Sequence, residues 1–342
     1  MSDDAVSTNH HLLKVENLRT YFPIRKGLLR RTVGYVKAVD GVSFAIEAGQ
    51  TVGLVGESGC GKTTLARSIV RLVSVTEGRV VFDGRDVLSA GRDALRRIRG
   101  EIGLVFQDSY GSLDPRMTVG DTVGEPLKVW GKIGRSEVAE RVGALLSKVG
   151  LSRHYMNRYP HEISGGQRQR VGVARALALG PKLVICDEPV SSLDVSIQAQ
   201  ILNLLKDLQE EFGLTFLFIA HDLAVVEFFC DVVAVMFMGR IVERASADEL
   251  YRNPLHPYTR TLISAVPQAE LGVQRPRKLF RTEPLEGSKG ISRRDARGAL
   301  NCLSGCAFYP ECSERQEKCL RRMPELDEKR GYRGHYVACW KS

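Results

Sequence analysis

Nine consecutive residues constrain this chain more than any others: Gly56-Glu57-Ser58-Gly59-Cys60-Gly61-Lys62-Thr63-Thr64. They fit the pattern Gly, four residues, Gly-Lys-Ser/Thr, a loop that cradles phosphates. A triphosphate presents many negative oxygens and needs donors converging from one side. Gly56, Gly59 and Gly61 let the backbone turn tightly and aim its N–H groups inward. Lys62 adds a point charge near the outer phosphates, and the Thr63 hydroxyl is suited to ligate Mg²⁺. The flanks agree. Thr51–Val55 reads as a short buried strand, and Thr64–Leu72 as a helix whose N-terminal dipole favours an anion. A loop so placed demands an α/β domain with a parallel sheet.

The 342 residues leave room for about two domains. With 43% hydrophobic and 26% charged residues, the composition is that of a soluble globular protein. A net charge of +9 is compatible with a nucleic-acid partner or an acidic membrane surface. The charge is scattered, however, with one denser stretch at Arg275–Arg297, so no nucleic acid is expected as partner. The longest apolar runs, Leu214–Ala220 and Val232–Met238, fall far short of the ~20 residues of a membrane helix. Met1–His11 lacks the apolar core of a signal peptide, which points to the cytoplasm and to reduced thiols.

Other strands and helices carry chemistry to one edge. Leu12–Leu18 and Val42–Ile46 read as strands, with Gly78–Gly84 as a third, so a small sheet flanks the phosphate loop. Tyr21 or Phe22, just after the first strand, offers a π-face for a base ring. The strand Ile102–Phe106 delivers Gln107 at its C-terminal end, where ligands bind in open α/β sheets. Asp108–Glu125 is rich in turn residues, and Arg135–Val149 is an amphipathic helix, so about 110–165 reads as a helical insertion. Ser164-Gly165-Gly166-Gln167 opens a helix to Leu179, with Ser164 as N-cap and glycines that permit phosphate approach. The strand Leu183–Cys186 ends in Asp187-Glu188: the Asp is placed to help hold Mg²⁺, the Glu to polarise an attacking water. Ser191-Ser192-Leu193-Asp194 leads into a helix ending at Gly213, Thr215–Ala220 presents His221, and Val232–Met238 with Gly239–Glu243 reads as a hairpin.

These motifs in this order resemble the ATP-binding cassette family over about residues 12–265. The resemblance implies a P-loop nucleotide-hydrolase core with a mixed parallel sheet, a flanking antiparallel β-subdomain and a helical insertion subdomain. It implies ATP with Mg²⁺, held by Gly56–Thr64 together with Gln107 and Asp187. Two subunits would sandwich ATP head to tail, one giving its phosphate loop and the other Ser164, Gly165, Gly166 and Gln167. Glu188 would activate water, His221 bridge to the γ-phosphate, Gln107 sense Mg²⁺ and the water, Lys62 bind the phosphates, and Asp194 communicate across the interface.

Within that family the chain resembles the ATPase subunits of oligopeptide/dipeptide permeases. The resemblance rests on Tyr110–Arg116, Asn253–Thr259 and a Cys-rich tail. The long basic stretch before Val36–Gly41 is similar to the second of the two ATPase types. That likeness implies a heterodimer with another ATPase at the cytoplasmic face of a bacterial inner membrane. It would work with two permease subunits and, indirectly, an extracytoplasmic solute-binding protein. The alternatives are an importer of nickel or another solute, a soluble cassette ATPase acting on nucleic acid or ribosomes, or an ATP-binding regulatory switch.

Five of the eight cysteines lie from Cys302 to Cys339. Intervals of five, six and nineteen residues separate Cys306, Cys312, Cys319 and Cys339, unlike the paired spacing of zinc ribbons. Four thiolates suffice for zinc or for an iron–sulfur cluster. The resemblance, carried by Gly305–Phe308 and Glu311-Cys312, favours a [4Fe–4S] cluster, with Cys302 as a substitute ligand. The chain is thus divided at 1–265, a linker at 266–300, and a Cys-rich extension at 301–342. Within the linker, Arg281–Leu300 departs from the permease pattern, being basic where a Pro-rich run is expected.

Overall fold

The computed structural model describes residues 11–27, 31–107, 111–131, 134–191, 193–265 and 305–341. Tyr110, Ser192, Cys302 and the linker lie outside them.

The phosphate loop follows the central strand of a sheet built as the sequence requires. Strand β1 (His11–Lys26) pairs antiparallel with β2 (Arg31–Glu47). Strand β3 (Thr51–Val55) is buried at every residue and feeds helix α1 (Lys62–Ile69). Strands β4 (Glu77–Phe82) and β5 (Arg85–Asp86) complete a sheet of order β2-β1-β4-β5, followed by α2 (Arg92–Gly100). Strand β6 (Ile102–Val105) returns to the main sheet. Then come α3 (Val119–Trp130), α4 (Arg135–Lys148) and α5 (Gly165–Leu177). The rest alternates: β7 (Leu183–Asp187), α6 (Val195–Phe212), β8 (Thr215–Ala220), α7 (Leu223–Phe229), β9 (Val232–Phe237) and β10 (Arg240–Ser246). Helices α8 (Ala247–Arg252) and α9 (Pro257–Ser264) end the cassette. The extension contributes α10 (Glu317–Arg321), β11 (Asp327–Glu328) and β12 (Tyr336–Val337).

The main sheet runs β11-β12-β10-β9-β3-β8-β7-β6. Its middle is parallel, and β3, β7 and β8 are apolar and buried on both faces, as crossover helices demand. One core packs the helices against this sheet, and a second packs the small sheet and α1 against its other side.

Two expectations need correction. The first strands are far longer than Leu12–Leu18 and Val42–Ile46, since β1 runs through Tyr21 and Phe22 into the basic stretch. Cross-strand pairs such as Phe22 with Val36 hold the exposed ends, where hydrophobic alternation fades. Second, the turn-rich segment contains helix α3, with Gly120, Gly124 and Pro126 inside it. Helix packing outweighs propensity here. A Cβ on Gly124 would lie 3.0 Å from Val138 and 3.3 Å from Val142, so the glycine lets α4 come close.

The extension is not a separate appendage. Its β12 pairs antiparallel with β10 and continues the cassette sheet. Arg260 of α9 forms an ion pair with Glu314 at 2.8 Å. The turn before α9 carries a buried titratable group, His256, whose ring accepts the Tyr258 N–H. Burial pushes its imidazole down to about 4, from an ordinary 6.5. The unfolded chain therefore binds one more proton between those values, and stability falls as pH drops from about 6.5 toward 4. His256→Asn keeps a capping acceptor without the titration. In this variant, the unfolding free energy should lose up to roughly 1.4 kcal/mol per pH unit less over that window. Equal slopes in denaturant titrations would count against it.

Candidate functional site

Three strand ends of the parallel sheet converge on one carboxylate. Glu188 follows β7, Gln107 lies two residues beyond β6, and His221 follows β8. The Gln107 side-chain amide donates to Glu188 Oε2 at 2.9 Å, and His221 Nδ1 lies 3.2 Å from the same oxygen. Glu188 holds φ at +48°, a conformation that costs a non-glycine residue energy and that concentrates at functional positions. Its N–H is tied to the Ile219 carbonyl at 2.9 Å, so the strained backbone is fixed by β8.

Beside it, the Thr63 hydroxyl donates to Asp187 Oδ1 at 2.9 Å. Burial, reinforced by the charge of Glu188, holds the Asp187 carboxyl above its usual range. A cation between Thr63 and Asp187 would relieve that cost, so the residues present fit Mg²⁺. Lys62 is buried, and its ammonium donates to the Gly56 and Glu57 carbonyls at 2.7 and 3.0 Å. Gly56 and Gly61 have φ of +154° and +114°. A Cβ on Gly61 would lie 2.0 Å from the Ala38 carbonyl oxygen, so β2 crosses directly over the loop. Ser58, Gly59, Cys60 and Thr64 complete the turn into α1, closed by a Cys60 N–H to Glu57 carbonyl bond. The Cys60 thiol is buried, and that burial raises it.

Ser164 and Gln167 form a reciprocal capping box at the start of α5. The Gln167 amide also donates to the Tyr155 hydroxyl at 2.9 Å. Gly165 and Gly166 face Leu193 and Ile197, where a Cβ on Gly166 would approach Ile197 to 2.7 Å. These contacts belong to the helical side of the molecule. The exposed Asp194 stands at the start of α6. The structure thus brings Gln107, Glu188, His221, Thr63, Asp187 and Lys62 together, and leaves Ser164 and Asp194 exposed, with Gly165, Gly166 and Gln167 half-buried.

The two aromatic candidates part company. The Tyr21 hydroxyl bonds to Asp40, which also pairs with Arg240, and the Lys37 ammonium lies over the Tyr21 ring at 5.6 Å. Burial and that carboxylate push the Tyr21 phenol up to about 12. Phe22, on the opposite face of the strand, is exposed and paired with Val36, two residues from the Ala38 that covers the loop. Sequence reading gave no sign of Tyr155 as the support of Gln167, because nothing in the spacing links them.

A phosphate loop after β3, an acidic pair at the end of β7 and a Gln–Glu–His cluster define a nucleoside-triphosphate hydrolase of the P-loop class. A family model described as ABC transporter matches residues 39–191, and one described as oligopeptide/dipeptide transporter, C-terminal region, matches residues 242–319. The chain is 46% identical to the oligopeptide transport ATP-binding protein AppF of Bacillus subtilis, over 96% of each chain. It is 47% identical to the oligopeptide transport ATP-binding protein OppF of Salmonella typhimurium, again over 96% of each. A solved ATP-binding cassette, dimeric and bound to ADP and Pi, matches with a TM-score of 0.62 and 31% identity over 69% of this chain and 98% of that one. The chain belongs to the ATP-binding cassette family, in its oligopeptide/dipeptide transporter branch.

Proposed function

We propose that this chain is the ATP-hydrolysing subunit of a peptide importer. The observation that carries the hydrolytic part is the Gln107–Glu188–His221 cluster beside Thr63 and Asp187. In this reading Gly56–Thr64 bind the phosphates, Lys62 turns from the loop carbonyls to the outer phosphates, and Phe22 stacks on the adenine. Glu188 accepts a proton from the attacking water, His221 and Gln107 orient that carboxylate, and Thr63, Gln107 and Asp187 hold Mg²⁺. When bound, Mg²⁺ would neutralise the charge on the phosphate oxygens during γ-phosphoryl transfer to water. Ser164, Gly165, Gly166, Gln167 and Asp194 serve the site of a second subunit, which fits the exposure of Ser164 and Asp194. We read the partner as a different ATPase, giving a heterodimer.

Peptide as substrate rests on the C-terminal family match and on relatives named for oligopeptide transport. Importers of nickel or other solutes are not favoured by these matches. The permease partner is supported by a groove of about 570 Å³ between the α/β core and the helical insertion. Leu72, Phe106 and Trp130 are exposed there, with Arg96 and Arg99 at its edge. A short amphipathic helix of a membrane subunit suits it. No described helix is long and apolar enough to cross a membrane, and docking through this groove would place the chain at the cytoplasmic face of the inner membrane. Cells lacking this chain should fail to take up labelled tripeptides, with uptake restored by the wild type and not by Lys62→Ala. Uptake that persists without the chain would overturn the assignment.

We also read the chain as a cassette (1–265), a linker (266–300) and an extension (301–342) whose thiols hold a [4Fe–4S] cluster. Burial pushes the Cys306 thiol up to about 11, and Cys319, Cys312 and Cys339 each raise it further, so the four lie within mutual electrostatic reach. Among the described residues no group of three or more Cys, His, Asp or Glu could hold a metal ion, so the cluster reading rests on the four thiols and the family likeness, with zinc as the alternative. Anaerobically purified protein should contain about four irons with acid-labile sulfide per chain, and Cys312→Ser should lower that content. Zinc or no metal would refute it.

A further inference from the structure

The loop that would hold the triphosphate is fastened from behind by the segment that meets the Cys-rich extension. Tyr258, near the start of α9, is 1% exposed. Its hydroxyl accepts the Glu57 N–H at 3.0 Å. Burial raises the phenol, so it stays an uncharged hydroxyl. The Glu57 N–H belongs to the same peptide unit as the Gly56 carbonyl, which receives the Lys62 ammonium. Both ends of this peptide are held, one by Tyr258 and the other by Lys62. When Lys62 turns to the phosphates, its end is released. Tyr258 then remains as the tie on the first corner of the loop.

Tyr258 is in turn held by the extension. Its ring packs against Phe237 at 4.5 Å and Phe308 at 5.5 Å between centroids, and Phe237 meets Phe308 edge-on at 5.4 Å. Phe308 is 4% exposed and lies two residues after Cys306. The Cys306 N–H donates to the Cys319 carbonyl at 2.7 Å, and the Tyr309 N–H to the Cys306 carbonyl at 3.0 Å. The Arg260–Glu314 pair fastens α9 to the same segment.

We propose that Tyr258 is a positioning residue for the phosphate loop, and that Phe308 holds it in place so that the seating of the Cys-rich extension sets nucleotide affinity. The inference rests on the reading of the chain as an ATPase. ATP binding to the isolated wild-type chain is measured first, by displacement of a fluorescent ATP analogue. No binding would overturn that reading and this inference together. With binding in hand, Tyr258→Phe removes the hydroxyl and keeps the ring. It should weaken ATP binding by roughly three- to tenfold, the size of one lost hydrogen bond. In the assembled transporter KM for ATP should rise in proportion, with kcat changed by less than about twofold, and the melting temperature of the chain should fall by no more than about 2 °C.

Phe308→Ala should weaken binding in the same direction, and Phe308→Leu should restore most of it. If Phe308 acts through Tyr258, its replacement adds nothing further on a Tyr258→Phe background. Unchanged ATP affinity in a folded Tyr258→Phe chain overturns the first half. Additive losses in the double variant, or a Phe308→Leu chain no better than Phe308→Ala, overturn the second. Should Phe308→Ala not fold, the Leu variant and its double with Tyr258→Phe decide the question.

Discussion

Glu188→Gln is expected to bind ATP as the wild type does and to hydrolyse it at least ~10²-fold more slowly, the share a positioned general base typically supplies. Glutamine has the same shape, and its carbonyl oxygen can still accept from the Gln107 amide, as Glu188 Oε2 does at 2.9 Å. The strained backbone at +48° and its bond to the Ile219 carbonyl are untouched by the change. What is lost is the charge that draws a proton from water. Neighbouring groups do not substitute. Asp187 is engaged with Thr63, and His221 lies on the Glu188 oxygen it would have to replace. Single-turnover hydrolysis by the assembled transporter, compared with ATP affinity, checks the prediction. Turnover near the wild-type rate would remove Glu188 from its role. Loss of binding in step with loss of rate would make it a structural residue.

How much was legible in the sequence depends on the range of the interactions involved. The phosphate loop, Asp187-Glu188 and the capped helix at Ser164 are local devices in which neighbours in sequence are neighbours in space, so the pattern shows them. Gln107 and His221 were found because each ends a buried strand, and parallel strands bring their ends to one edge. The different surroundings of Tyr21 and Phe22 depend on Asp40, Lys37 and Arg240, which strand pairing and a distant hairpin supply. Helix α3 was hidden because Gly120 and Gly124 read as turn chemistry, while the reason for them lies in close neighbours distant in sequence, Met156 for Gly120 and Val138 and Val142 of α4 for Gly124. The seating of the extension was hidden for the same reason. Tyr336-Val337 is a two-residue strand with no periodicity of its own, and only the edge of β10 gives it meaning.

That seating has one buried point on which it turns. His335→Ala should lower the melting temperature by about 1–4 °C, as the loss of 1–3 kcal/mol for a stranded buried partner implies for a chain of 342 residues. It should also open residues 305–341 to protease. His335 and Glu243 are both 0% exposed, with His335 Nε2 2.7 Å from Glu243 Oε1. The Glu243 carboxyl also accepts the Leu255 N–H at 2.7 Å and the His256 N–H at 2.9 Å. One side chain on β10 therefore gathers the turn into α9 and the extension beyond it. The oxygen that faced His335 loses one donor and keeps only the Leu255 N–H, and the imidazole's volume becomes a cavity. His335→Gln supplies an amide donor of similar reach and should recover part of the loss. Glu243→Gln keeps the shape but offers one acceptor oxygen where two are used, so its amide must face the Leu255 or His256 N–H and the variant should also be destabilised. A His335→Ala chain that melts with the wild type and resists protease equally would mean that β12 pairing and the Arg260–Glu314 bridge hold the extension unaided. Sheet pairing over two residues is a weak clamp on its own, so the buried pair is expected to supply most of the hold.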